Sequence, residues 1–79
     1  MQSIDFDLDD RHEHVELNQL LKLTGLCDSG GAGKAIVASG AVYVDGQQEL
    51  RKTCKIHAGQ VVEIDDVRIR VKRAGITPA

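Results

Sequence analysis

The sequence predicts an α+β fold in which a two-helix hairpin packs on a small, mainly antiparallel sheet. Three observations carry this. Apolar residues recur at helical spacing as far as about Gly40, and at a spacing of two beyond it. Gly25 and Gly40 stand where helical segments should end. Asp45-Gly46 and Asp65-Asp66 break the later alternating runs as turn signals.

Taken in order, Ile4, Phe6 and Leu8 alternate with Asp5, Asp7 and Asp9, the period of a half-buried strand over residues 3–8. Carboxylates on its outward positions suit the edge of a sheet, where they discourage unwanted pairing. Residues 1–14 read as an acidic arm carrying this strand, with His12 and His14 in a flexible linker. The first helix is expected from Val15 to Thr24, with Leu17, Leu20, Leu21 and Thr24 on one side, and Gly25 ending it. Asp28 or Ser29 caps a second helix from about Gly31 to Ser39, whose apolar side carries Ala32, Ala35 and Ile36. Gly33 inside that helix costs about 1 kcal/mol relative to alanine, which points to close helix packing or to close approach of a ligand backbone. Val42 and Val44 flank Tyr43 before the Asp45-Gly46 turn. Ile56, the Ala58-Gly59 turn and the Val61-Val62-Ile64 strand follow. Val67, Ile69 and Val71 then alternate with Arg68, Arg70 and Lys72. Residues 15–73 form the domain, and residues 74–79 read as a loose tail.

A chain of 79 residues is one small domain. At about this size only some 60% of the unfolded-chain surface is buried, and Leu, Ile, Val and Ala supply the core. Phe6 and Tyr43 are the only aromatics, too few for a reader that stacks unpaired bases on its sheet. The formal charge of −2 conceals a division. Residues 1–16 hold six acids against one arginine, and residues 17–79 hold nine basic residues against six acids. The basic part is the better guide to partners. Cys27 and Cys54 lack both metal-ligand spacing and the numbers for a disulfide framework, so buried free thiols are expected. The opening residues do not resemble a signal peptide and no run approaches a membrane span, so a cytoplasmic protein with no membrane partner is expected.

The run Ser29-Gly30-Gly31-Ala32-Gly33-Lys34 invites a nucleotide-loop reading and fails it. A P-loop needs Gly at position 28 and Ser or Thr at 35, where Asp28 and Ala35 stand, and no strand precedes. A simpler property survives. The first turn of a helix exposes unpaired N–H groups and partial positive charge, which suits a phosphate. Gly30 and Gly31 would let an RNA backbone come close, and Lys34 lies one turn along. Arg51, Lys52 and Lys55 form a second basic cluster before a strand. Arg51 can hold a phosphate with two hydrogen bonds, and the lysines act as point charges. His12, His14 and His57 find no visible acid, nucleophile or full ligand set. No metal, cofactor, small-molecule substrate or catalytic residue is expected.

With these residues in view, positions 16–65 resemble the alpha-L RNA-binding motif, the domain named after ribosomal protein S-four. It also occurs in pseudouridine synthases, tyrosyl-tRNA synthetases and a heat-shock RNA-binding protein. The resemblance rests on Leu20-Leu21, Gly25-Leu26, Ser29, Ile36, Gly40, Val42-Tyr43-Val44-Asp45-Gly46 and Ala58-Gly59-Gln60-Val61-Val62. The family usually has Asn at 45 and Asp at 60. It often has Arg where Glu16 and Gly30 stand, so binding roles at those two positions do not carry over. The Ser-Gly-Gly run, Lys34, and Glu49 followed by Arg51, Lys52 and Lys55 resemble a subgroup of small stand-alone bacterial members. The resemblance implies two helices packed on a small sheet, with RNA bound across the helix pair and the hairpin.

The leading expectation is a monomeric, non-catalytic binder of structured RNA of ribosomal or transfer type, through phosphate and shape contacts. Ser29, Gly30, Gly31, Lys34, Arg51, Lys52 and Lys55 are its candidate contacts. A protein-interaction adaptor without strong RNA affinity is the alternative, favoured by Glu16, Gly30 and the acidic arm. The arm itself is expected to tune RNA binding by its charge, and its removal to leave the fold intact.

Overall fold

A computed structural model describes residues 2–8 and 11–73. Strand β1 (Gln2–Leu8) and a short strand β2 (His14–Glu16) precede helices α1 (Leu17–Leu23) and α2 (Gly30–Ala38). Strands β3 (Val42–Val44), β4 (Gln47–Gln48), β5 (Lys55–His57), β6 (Val61–Ile64) and β7 (Val67–Arg73) follow. The five-stranded sheet has the order β1-β7-β6-β3-β4, and β2 pairs with β5 in a separate two-stranded ladder. All pairings are antiparallel except β1 with β7.

The period of two sets which residues face the helices. Ile4 sits opposite Ile69 and Phe6 opposite Val71, Ile69 opposite Val62, and Val62 opposite Val44. These residues, with Leu8, Val42 and Ile64, turn to the same side and join Leu17, Leu20 and Leu21 of α1, Val37 of α2 and Ile56 of β5 in one core. The other side of the sheet carries Asp5, Tyr43, Arg68, Arg70 and Lys72, all exposed. No helix among the described residues is long and apolar enough to cross a membrane.

Both helix ends follow glycine chemistry. Gly25, at φ 82°, follows α1. The Gly25 N–H donates to the Lys22 carbonyl and the Leu26 N–H to that of Leu21, the paired bonds of a Schellman cap. Asp45 and Gly46 both have positive φ, as a tight hairpin turn requires. The Asp45 carboxylate accepts from the Val61 N–H at 3.0 Å and from Gln60 Nε2 at 3.2 Å. These bonds tie the hairpin turn to the start of β6.

Two expectations need correction. Val15 and His14 lie in strand β2, with Val15 opposite Ile56, so α1 starts two residues later than its apolar spacing suggests and His14 is not in a flexible linker. Pairing with β5 overrides local helix propensity there. On α2 the buried positions are Gly33 and Val37, one turn apart, while Ala35 is exposed. The strand expected over residues 3–8 at the sheet edge is β1, with Leu8 only 3% exposed. Asp9 and the expected tail at 74–79 lie outside the described residues.

Gly33 is explained by helix packing. A Cβ built there would lie 2.5 Å from the Asn18 carbonyl oxygen of α1. That atom belongs to backbone and cannot rotate away, so Gly33→Ala must push the helices apart. Overpacking of this kind costs about 1–3 kcal/mol, against which alanine regains about 1 kcal/mol of helix propensity. At about 4–8 °C per kcal/mol for a domain of this size, thermal unfolding should begin several degrees lower. Circular dichroism checks this, and an unchanged or higher midpoint would show that the helix contact can relax freely.

Candidate nucleic-acid interface

Strand β2 runs directly into α1, and the first N–H groups of that helix find acceptors in the connection before β5. Leu17 N–H donates to the Cys54 carbonyl at 2.8 Å and Asn18 N–H to the Lys52 carbonyl at 3.1 Å. No side chain caps α1, so the backbone of the basic connection does so instead. The Asn18 side chain, 2% exposed, reaches the other way, with Nδ2 3.5 Å from the Gly30 carbonyl at the start of α2. Asn18 therefore ties the connection, α1 and α2 at one point.

With the connection fixed in this way, Lys34 of α2 lines a single surface concavity with Arg51, Lys52 and Lys55. Leu50, Thr53 and Cys54 complete its wall, and no aromatic side chain is present there. Ser29, Gly30 and Gly31 are not among the lining residues. The Ser29 hydroxyl accepts from the Ala32 N–H at 3.1 Å, and its carbonyl accepts from the Gly33 N–H, so Ser29 caps α2. Gly30 is half-buried, and a Cβ there would lie 2.9 Å from Gln19 Nε2 of α1. Gly31 is exposed.

The charges sort themselves by face. On the outer side of the sheet, Asp5 holds both Arg70, at 3.0 Å, and Lys72, at 3.1 Å, and Arg68 lies 3.6 Å from Glu63. Hydrogen bonding from Lys72 is the main cause that keeps the Asp5 carboxyl below its ordinary value, with Arg70 adding to it. In the concavity, Lys34, Lys52 and Lys55 are exposed and make no ion pair among the described residues. Glu16 faces Lys55 across the β2–β5 ladder without forming one. Unpaired positive charge thus gathers at the concavity, while Arg68, Arg70 and Lys72 on the sheet face each pair with an acid.

Arg51 differs from the lysines. Its Nε donates to Glu49 Oε2 at 3.0 Å, its Nη2 to Oε1 at 2.9 Å, and its backbone N–H to Oε2 at 3.0 Å. Those bonds, the Arg51 side chain first, lower the Glu49 carboxyl to about 2 and raise the guanidinium further, so the pair stays ionised at any physiological pH. The Cys54 thiol lies 3.4 Å from Glu49 Oε1, and burial followed by that carboxylate pushes its pKa up, keeping it a thiol. Cys27 and Cys54 are free and half-buried against the core. Sequence reasoning passed over Asn18, although a lone amide among Leu17, Leu20 and Leu21 was a visible signal. His14 and His57 face each other across the β2–β5 ladder with tilted rings, 5.9 Å between centres, and His57 Nδ1 meets the Glu13 carbonyl at 3.1 Å, so these rings have structural partners.

Comparison with known proteins agrees with this architecture. The model of the S4 domain family matches residues 6–72. The Escherichia coli (strain K12) protein named "Putative RNA-binding protein YbcJ" is 49% identical over 61 residues, covering 77% of this chain and 87% of that protein. The Bacillus subtilis (strain 168) protein named "Probable ribosome maturation protein RlbA" is 36% identical over 53 residues, covering 67% of this chain and 75% of that one. The solution structure of the E. coli YbcJ protein, described as revealing an alfaL motif involved in RNA-binding, superimposes with a TM-score of 0.63 at 43% identity, over 91% of this chain and 87% of its own. Helix pair, hairpin turn and sheet order thus come with a sequence match over most of the chain: it belongs to the S4 domain family.

Proposed function

We propose that this protein is a non-catalytic RNA-binding protein that recognises folded RNA, of ribosomal or transfer type, through phosphate and shape contacts, as a monomer in the cytoplasm. The observation that carries the reading is the gathering of Lys34, Arg51, Lys52 and Lys55 on one concavity, where the three lysines make no ion pair among the described residues, while Arg68, Arg70 and Lys72 of β7 each pair with an acid. Unmatched cations on a rigid concave surface attract a phosphate backbone and release its counterions, whatever the base sequence. The names of the relatives from E. coli and B. subtilis point the same way. The concavity has no ring on which an unpaired base could stack: Phe6 packs toward the core and Tyr43 lies on the outer sheet face. That favours a target whose phosphates are held in place by its own folding. Arg51, Lys52, Lys55 and Lys34 are the proposed contacts, and Ser29, Gly30 and Gly31 act by fixing the start of α2, with exposed Gly31 the closest of them to a direct contact.

The test compares one folded RNA hairpin with an unpaired RNA of the same length and composition, by fluorescence anisotropy at fixed salt. The hairpin should bind at least about tenfold more tightly, a difference of about 1.4 kcal/mol. Equal binding, or preference for the unpaired strand, would contradict recognition of folded RNA.

A further inference from the structure

One acid, Glu49, bonds two residues of the concavity's lining, Arg51 and Cys54, where simple electrostatics would exclude a carboxylate from the edge of a phosphate-binding surface. Glu49 precedes the basic run, and its side chain is only 16% exposed while that of Arg51 is 77% exposed. A free carboxylate there would repel an incoming phosphate. This one is not free. Oε2 accepts from Arg51 N and Nε, and Oε1 from Arg51 Nη2 and the Cys54 thiol.

The geometry of the pair divides the guanidinium in two. A guanidinium carries five N–H groups in a planar fork. Glu49 occupies the Nε–Nη2 side. The outer end remains: Nη1, and the second N–H of Nη2, which meets only the weak acceptor Cys54 Sγ at 3.6 Å. Two adjacent N–H groups at that end match two oxygens of a phosphate. We propose that Glu49 is a positioning residue, which holds Arg51 by its inner side so that the outer end of the guanidinium is presented to an RNA phosphate.

This deepens the RNA-binding reading and rests on it. An arginine side chain that is free in solution loses rotamer freedom on binding, and one already fixed by Glu49 has lost much of it. Lysine cannot replace it, because one ammonium cannot satisfy both the carboxylate and the phosphate as a planar fork does. The benefit of Glu49 therefore exists only through Arg51, and its negative charge is otherwise a disadvantage.

A double-mutant cycle on the full chain separates these effects, read as affinity for a folded RNA hairpin, with amide NMR spectra confirming the fold of each variant. In the wild-type background Glu49→Gln should weaken binding roughly threefold to tenfold, although it removes a negative charge. In the Arg51→Ala background the same substitution should leave affinity unchanged or raise it. Arg51→Lys, which keeps the charge as a single point, should bind more weakly than the wild type, and Glu49→Gln in that background should no longer weaken binding. Glu49→Asp, which keeps the charge and shortens its reach, should also weaken binding. Tighter binding by Glu49→Gln in the wild-type background would show that Glu49 is only a competing charge and overturn the proposal. An equal loss in both backgrounds would show that it merely supports the connection, and would overturn it too. If RNA binding itself is wrong, Arg51→Ala is silent as well, an outcome distinct from either.

Discussion

Deleting residues 1–8 is expected to unfold the domain. β1 is an edge strand, yet Leu8 is buried and Ile4 and Phe6 pack against the core. Full burial of such a side chain contributes about 1.5–3 kcal/mol, so one buried and two half-buried residues contribute on the order of 3–6 kcal/mol. The whole stability of a domain this size is about 4–12 kcal/mol. The loss also leaves the β7 edge unpaired and Arg70 and Lys72 without Asp5. Urea unfolding followed by circular dichroism should show a midpoint near zero denaturant for the truncated chain, or no transition. A cooperative transition close to that of the full chain would show that β1 is dispensable. Within the folded chain the charge of Asp5 is taken up by Arg70 and Lys72.

How far the sequence foretold this molecule can be followed residue by residue. The alternation of Val67, Ile69 and Val71 with Arg68, Arg70 and Lys72 is a local signal of period two, and it gave β7 with its faces correctly assigned. Gly25, Gly40 and Asp45-Gly46 were readable because a positive φ restricts residue choice at a single position. The start of α1 was not readable. Leu17, Leu20 and Leu21 fit one helical stripe that does not fix where the helix begins, and the partner strand at Ile56, forty-one positions from Val15 in the chain, draws Val15 into a ladder. The parallel pairing of β1 with β7 is nonlocal in the same way.

The candidate site shows the same division. That Lys34 and the cluster Arg51, Lys52 and Lys55 share one surface was an inference from charge, and the concavity places them together. The means of bringing them together was hidden, because it consists of backbone bonds from Leu17 and Asn18 to the carbonyls of Cys54 and Lys52. No side-chain pattern records such bonds. Gly30 and Gly31 appeared open to a phosphate since a glycine shows no side chain in the sequence, and Gln19 from the preceding helix lies beside Gly30. Glu49 and Arg51 stand two residues apart, a spacing that gives no hint of a two-point ion pair until the connection is seen to fold back on itself.

The account stands or falls on whether Lys34, Arg51, Lys52 and Lys55 contact phosphate together. The decisive measurement is the salt dependence of hairpin affinity for the wild-type chain and for the variant with all four replaced by alanine. Each lost contact should flatten the slope of log affinity against log salt by roughly 0.7–0.9, so the four together should flatten it by about 3. At physiological salt the loss should be on the order of a hundredfold to a thousandfold, if each exposed charge contributes near 1 kcal/mol. Thermal unfolding should move by only a few degrees, because three of the four side chains make no ion pair among the described residues and the fourth is largely exposed. Hairpin affinity and salt slope unchanged in a folded quadruple variant would contradict the account and direct attention to a protein partner instead.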